Sequence, residues 1–387
     1  MITNQSNSLK STIIGLLSEE PRSLADLKAT TQVSLPTLRQ ALQELSDSDW
    51  VCPVGRSSST GGRRATLFGL NGQTHLIIGV HLEIPGINMV VSALNGDIID
   101  RIHVADREKL LPDEAMRTII DYAQQVQVTY PNRKLLGIGL AMPGFLELTS
   151  GTILFSIRAP HWQNFPLKAR LESELDLPVI IENDVDCMTF AELAQANIPD
   201  ATDMLYLGFS EGVKVSMRLG GQLIKGPFGN AGMIGRTVVS RNELQEIASV
   251  SSVCREFEQR VATLSAPNET LQGIINLTDR SAKFRAILKA AESEPICNSI
   301  ITAVIDTLAE ELSKLLQILQ PALLIIGGAL SHMPPQLRTY MEESIRKRLP
   351  SLISSHLLVK YATMVGARVA ATGAAHRFLQ RYDINRI

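Results

Sequence analysis

The 387-residue sequence predicts an α/β protein in which a small, mainly helical N-terminal head precedes a larger body. Three observations carry this. At roughly 150 residues per domain, the length calls for two or three domains. The residues before position 71 hold three closely spaced helical periodicities and then two short strands. From His75 onward, continuous apolar runs alternate with amphipathic stretches, the texture of a sheet covered by helices. Hydrophobic residues make up 45% of the chain and charged residues 20%, with mean hydropathy +0.09. That is enough apolar material for large cores and too much for a disordered chain.

Each element of the head has its own local signal. Leu9, Ile13, Ile14, Leu16 and Leu17 form the apolar stripe of a first helix, which ends near Pro21 because proline lacks an amide donor and clashes with the preceding turn. Ser23 caps a second helix, SLADLKATT, with Asp26 as its acidic capping-box partner. Gln32 and Val33 make a tight connection. Ser34 then caps a third helix, SLPTLRQALQELSDS, whose Leu35, Leu38, Ala41, Leu42 and Leu45 face inward at helical spacing. Pro36, Thr37, Arg39, Gln40 and Gln43 are left outside. WVCPVG and TLFGL follow, two short strands around the loop RSSSTGGRRA, and read as a β-ribbon.

Formal net charge is −2, so any contact with nucleic acid must come from a local cluster that the total conceals. The segment from Trp50 to Leu70 supplies one, with Arg56, Arg63 and Arg64 and no acid. Three helices followed by a basic-tipped ribbon is the organisation of a winged helix-turn-helix. Its third helix enters the major groove while the wing reaches phosphates or the minor groove. The expected contacts to double-stranded DNA are Ser34, Pro36, Thr37, Arg39 and Gln40 on the third helix and Arg56, Ser57, Arg63 and Arg64 on the wing. Most are hydrogen-bonding types suited to base edges and phosphates. The alternative is a helical protein-interaction module with a solvated Ser/Arg turn. Aromatic residues are only 5% of the chain, which argues against stacking platforms for single strands.

In the body, HLIIGVHLE, INMVVSALNGDIIDRIHV, KLLGIGLAM, PVIIEND and DMLYLGFS read as strands, several too continuously apolar to have a wet face. LPDEAMRTIIDYAQQVQ and FPLKARLESELD read as helices between them, giving a meander followed by helical crossovers. The last third is more helical, with KFRAILKAAESE and NSIITAVIDTLAEELSKLLQILQ before a buried strand, ALLIIGGAL. Cys52, Cys187, Cys254 and Cys297 are scattered without a CxxC pair, so neither a disulfide framework nor a cysteine zinc site is expected. MITNQSNSLK lacks the basic start and apolar core of an export signal, and no run of about 18 apolar residues occurs. A cytoplasmic protein without membrane partners is expected.

Six segments, in order and spacing, resemble a known family: IIGVHLEIPGINMVVSALNGDII, GIGLAMPGFLE, APHWQNFPLKARLESELDLPVIIENDVDCMTFAE, MLYLGFSEGVKVSMRLGGQLIKGPFGNAGMIG, PALLIIGGALS and VGARVAATGAA. Together they resemble the ROK family of repressors, open reading frames and sugar kinases, in its long form with a winged-helix N-terminus. The resemblance implies a two-lobed actin-like/hexokinase (ribonuclease H-like) body. The expected division is a head at 1–71, a first α/β lobe at 72–195 and a second lobe with oligomerisation helices at 196–387, the last helix packing back on the first lobe.

The same resemblance exposes departures from the kinases. Where they carry an Asp-x-Gly-Gly-Thr loop, this chain has His81-Leu82-Glu83-Ile84-Pro85-Gly86, adding bulk and removing an amide donor from a phosphate cradle. Glu83 there is a magnesium candidate but more simply a strand-end carboxylate. The second phosphate loop is Gly208-Phe209-Ser210-Glu211-Gly212-Val213-Lys214, with bulky Phe209 and Val213 and a repelling Glu211. Gly327-Gly328 matches the family's nucleotide-side turn, or is simply a tight turn. Asn183-Asp184 matches the pair whose aspartate is the kinases' general base, and equally suits a helix cap. The family's Glu-x-Gly-His is Met233-Ile234-Gly235-Arg236 here, the cysteine zinc loop is missing, and Gln245 stands at a sugar-contacting glutamate. No metal and no cofactor are expected.

The sequence thus points to a DNA-binding transcription regulator, a repressor of carbohydrate-related genes, acting as a homodimer or homotetramer on a pseudo-palindromic operator. Its catalytically inactive body is expected to bind an effector through Gly144, Asn183, Asp184, Met233, Arg236 and Gln245, with Asp184 a vestigial base. Losing two carboxylates and gaining Arg236 favours a phosphorylated sugar or other anion over a neutral sugar, unless an internal acid pairs with the arginine. The alternative is an ATP-dependent sugar kinase with an appended DNA-binding domain.

Overall fold

A computed structural model describes residues 2–57, 64–83, 86–104, 110–156, 160–195, 198, 202–366 and 368–382. The chain folds as two compact units, Met1–Asn197 with Pro227–Gly229 and Ala367–Ile387, and Ile198–Gly226 with Asn230–Gly366.

The first unit opens with α1 (Ile2–Glu19), α2 (Leu24–Thr31) and α3 (Leu35–Asp47), then an antiparallel ribbon of β1 (Val51–Arg56) and β2 (Thr66–Leu70). Arg22–Ser23 adds a short strand beside β2. The local signals act as expected. Ser23 Oγ accepts the Asp26 N–H at 3.2 Å and the Ser23 N–H donates to Asp26 Oδ2 at 2.9 Å, closing a capping box. Leu38, Ala41, Leu42 and Leu45 of α3 are buried against Ile13, Ile14, Leu17 and Leu27.

The body of this unit is a five-stranded sheet of β3 (His75–Leu82), β4 (Ile87–Ala93), β5 (Ile98–Val104), β6 (Lys134–Met142) and β7 (Val179–Asn183), ordered β7-β6-β3-β4-β5. β3 to β5 form the meander, while β6 and β7 run parallel to β3. They are reached through α4 (Pro112–Thr129) and α5 (Leu167–Leu175), and α6 (Asp184–Gln195) follows β7. Every residue of β3 is buried, since a strand covered on both faces has no wet side. Leu76, Ile78, Val80 and Leu82 pack with Ile119 and Ala123 of α4 and Leu171 of α5.

The second unit holds β8 (Met204–Phe209), β9 (Val213–Leu219), α7 (Val250–Ala262), α8 (Glu269–Ile275), α9 (Arg280–Ala290), α10 (Pro295–Leu319), β10 (Leu323–Gly328), α11 (Pro335–Arg346) and β11 (Leu358–Tyr361). Its sheet runs Gln222–Leu223, β9, β8, β10, β11. Leu205, Leu207 and Phe209 alternate along β8 and join Leu324 and Ile326 against Phe257, Phe284 and Leu308.

The chain then returns to the first unit as α12 (Val369–Arg381). This helix lies against backbone, not merely side chains. A Cβ on Gly79 of β3 would overlap the Ala371 carbonyl oxygen, one on Gly139 of β6 the Ala374 carbonyl, and one on Gly373 the Cys187 carbonyl of α6. Glycine in a strand interior commonly marks such a close approach. The far end of α12 fills the head: Ala375, Phe378, Leu379 and Tyr382 share one core with Ile13, Ile14, Leu17, Trp50 and Leu70. Trp50 stacks between His75 and Tyr382, with ring centroids 4.6 and 5.6 Å away. Among the described residues, the core of the head is therefore continuous with that of the first body sheet across residue 71.

Candidate nucleic-acid interface and ligand site

In the head, α2 stops at Gln32, whose φ of 56° lies in the left-handed region. The chain thereby turns sharply into α3. Ser34 Oγ accepts the Thr37 N–H at 3.4 Å and shares a 2.7 Å hydrogen bond with the Thr37 hydroxyl, starting the helix. Pro36, Thr37, Arg39 and Gln40 are all exposed. Gln40 is not idle, since its amide donates to Glu44 Oε1 at 3.0 Å while Lys10 of α1 holds Glu44 Oε2 at 2.5 Å. Those two partners, Lys10 first, hold the Glu44 carboxyl below its ordinary pKa. On the ribbon, the Ser57 N–H donates to the Ala65 carbonyl at 2.9 Å and the Ala65 N–H returns to Ser57 Oγ at 3.1 Å. Arg56 and Arg64 are exposed beside this closure, whereas Arg63 lies outside the described residues. The expected contacts thus sit on two elements of one head, a helix face and a ribbon end.

Parallel pairing gathers the body's first candidate residues at one edge. Asn183 is in register with Met142, and His81 with Ala141, so the C-terminal ends of β3, β6 and β7 coincide. This is where open α/β sheets take their ligands. Gly144 follows two residues after Met142, the register partner of Asn183. Gly144 has φ 124°, and a Cβ there would crowd the Phe155 carbonyl at 2.7 Å. The Val185 N–H donates to Asn183 Oδ1 at 3.0 Å and to Asp184 Oδ1 at 2.9 Å, so both side chains start α6. Asn183 is buried and Asp184 half-buried. At the neighbouring strand end His81 is buried, and Glu83 accepts from Asn88 Nδ2 at 3.0 Å. Ile84 and Pro85 lie outside the described residues.

In the second unit, the expectation that Phe209 and Val213 obstruct a phosphate loop by their bulk is corrected. Both side chains join the helix-covered core, Phe209 with its ring 5.7 Å from that of Phe284. What distinguishes the turn is Glu211, which accepts from the Ser251 hydroxyl and from Arg280 Nη1 at 3.2 Å. The turn is also tied to α7, because the Val250 N–H donates to the Ser210 carbonyl at 2.9 Å. Gly327 and Gly328 have packing reasons: a Cβ on Gly327 would overlap the Tyr206 hydroxyl, and Gly328, at φ 67°, lies on the Phe209 carbonyl.

Met233 and Arg236 follow Gly232, whose carbonyl accepts the Val215 N–H at 2.8 Å. Asn230 Nδ2 lies 3.7 Å from Met233 Sδ. Arg236 Nη1 pairs with Glu243 Oε2 at 3.1 Å, and Gln245 Nε2 donates to the same oxygen at 2.9 Å. Sequence reasoning missed Glu243. It is the N-cap of the short helix Leu244–Ile247, with Glu246 completing a capping box, and that spacing was its available signal. The positive surplus expected at Arg236 is therefore cancelled. The structure puts Gly144 two residues past Met142, the register partner of Asn183, in the first unit, and joins Arg236 and Gln245 through Glu243, with Met233 three residues before the arginine, in the second.

Among the described residues no cluster of three or more His, Cys, Asp or Glu is arranged to hold a metal ion. Burial pushes the Cys254 thiol up to about 11, which keeps it protonated. No helix among the described residues is long and apolar enough to cross a membrane.

A family model described as the ROK family matches residues 77–381. The xylose repressor of Caldicellulosiruptor bescii is 28% identical over 330 residues, covering 81% of this chain and 80% of that protein. Among solved structures, a ROK family transcriptional regulator described as a homolog of the E. coli MLC protein superposes with TM-score 0.78 at 17% identity, covering 96% of each chain. A ROK glucokinase from Streptomyces griseus, in complex with glucose and AMPPNP, gives TM-score 0.64 at 22% identity, over 78% of this chain and 98% of its own. Both share the actin-like fold of the body.

Proposed function

The chain belongs to the ROK family, and on that premise we propose that it is a DNA-binding transcription regulator, a repressor of carbohydrate-related genes whose kinase-like body senses a sugar. The head carries this reading. It exposes Pro36, Thr37, Arg39 and Gln40 on the helix that follows the tight turn, and two arginines at the ribbon end, the chemistry of a groove reader with a phosphate-seeking wing. The likeness to a regulator over nearly the whole chain supports it, where the kinase likeness covers less. Such a repressor works in the cytoplasm as a homodimer or homotetramer whose paired heads read a pseudo-palindromic operator.

The body is read as a sensor without phosphoryl transfer. A carboxylate at the β8–β9 turn opposes a triphosphate, and His81 replaces the acid that would support its metal. Gly144, Asn183, Asp184, Met233, Arg236 and Gln245 are assigned to ligand recognition. With Arg236 matched by Glu243, a neutral sugar becomes the preferred effector class over a phosphorylated one.

The test is an unbiased selection of duplexes by the full chain, repeated with D-xylose, D-glucose and their phosphates. An enriched operator whose affinity one of these sugars changes is expected. Arg39→Ala should then weaken the selected operator more than random duplex, and Arg64→Ala should weaken both and lower the salt slope by about one. The retained Asn183–Asp184 pair favours the second reading, a sugar kinase. ATP-dependent turnover of a hexose that disappears in Asp184→Asn would establish it and displace the sensor.

A further inference from the structure

Arg377 links the ligand corner to the helix that completes the head. Its Nε lies 3.5 Å from Glu182 Oε2, and Glu182, a β7 residue only 1% exposed, immediately precedes the Asn183–Asp184 pair. The guanidinium carbon sits 4.5 Å above the Phe190 ring of α6, while Nη1 donates to Gln380 Oε1 at 3.0 Å. One side chain thus touches the strand leading into the corner, the helix leading out of it, and its own helix α12. Next along the chain, Phe378 and Leu379 of α12 and Tyr382 at its C-cap lie in the core of the head. Two other observations show how closely this junction is packed. Gly373 brings α12 within backbone contact of Cys187 on α6, and Gly79 and Gly139 let it lie equally close on β3 and β6.

Resting on the reading above, we propose that Arg377 is a positioning residue that makes β7, α6 and α12 move as one body, so that a ligand-induced shift at Asn183–Asp184 reaches the DNA-reading head. The guanidinium is suited to this because its flat face packs on Phe190 while its edge addresses Glu182, two contacts that a lysine cannot make together. Coupling of this kind requires a physical element whose arrangement both sites bias. The rigid pair of α6 and α12 is that element.

The experiment compares full-length wild type, Arg377→Lys and Phe190→Leu on the selected operator with and without each sugar of the panel above. Operator affinity, sugar affinity by calorimetry and thermal unfolding are each measured. In wild type one sugar changes operator affinity by at least about fivefold, the lower end of ordinary allosteric coupling. In the variants that ratio should collapse toward one, while operator affinity without sugar and sugar affinity without operator each stay within about twofold. Each variant leaves a cation or an apolar contact in place, and thermal unfolding checks that the fold is kept. If Arg377→Lys loses its fold, Phe190→Leu decides alone. A preserved ratio in folded variants overturns the proposal, and so does a parallel loss of both affinities with lowered stability, which marks a merely structural residue. No response of wild type to any sugar overturns the sensor reading and the proposal with it.

Discussion

At Arg236, one neighbouring carboxylate changes the chemistry. The guanidinium shares Glu243 with Gln245, so Glu243→Gln should leave it seeking an anion. We expect that variant to gain affinity for a sugar phosphate over the neutral sugar by roughly tenfold, the scale of one charge-assisted hydrogen bond. Calorimetry with the matched pair of ligands checks it, and an unchanged preference counts against the role of Glu243. The sequence displayed Arg236 but not its partner, because the pair forms only when the short hairpin Val238–Val239/Asn242–Glu243 folds back. Phe209 differs for another reason: its bulk matters less than its parity, since Leu205, Leu207 and Phe209 alternate along β8 into one core. A second residue-scale prediction concerns acid. Burial lowers His75 from its ordinary 6.5 to about 4, and likewise His376. The unfolded chain takes protons there below about 6.5, while the folded chain refuses them until about 4. Stability is therefore full above pH 6.5 and falls progressively toward pH 4, by on the order of 2–3 kcal/mol per histidine. Thermal unfolding across that window should show the loss, and His376→Gln, which cannot titrate, should remove roughly half of it while His75 keeps the rest.

Elements were most legible where their signals are local. Ser23 with Asp26, Ser34 before its helix and the stripe from Leu38 to Leu45 each act within a few residues, so the head could be drawn from sequence. The seating of α12 could not be, since Gly79 and Gly139 read only as weak points in apolar strands until a helix from the far end of the chain lies on them. Gly139→Ala tests that seating. Its single methyl meets a backbone carbonyl that cannot turn aside, and we expect a loss of about 3 kcal/mol, at the upper end for overpacking. A denaturant midpoint equal to wild type would show that α12 sits more loosely.

For the whole molecule, the near-zero net charge proves compatible with a DNA reader because the arginines of the ribbon are concentrated where no acid interrupts them. The family's order of segments made the body legible, whereas the union of head and first body sheet was not, because no linker-like composition or its absence announces a shared core. That union has a measurable outcome. The isolated segment 1–71 lacks Ile77, Leu94, Leu136, Phe378 and Tyr382, all part of the core it needs, and a chain of that size is marginal even with its core intact. It should show little cooperative melting by circular dichroism, while the full chain melts with its head attached.

The place of α12 also sets an order of events during synthesis. Ile13 and Leu17 leave the ribosome early, yet Phe378 and Tyr382, which close the same core, emerge only after the whole body has been made. At the usual pace of translation the wait is on the order of half a minute. A chain still being made, or one cut short before α12, therefore carries the sequence of a DNA reader without a finished one. On the proposed reading, the head's core can close only after the body that precedes α12 has been made.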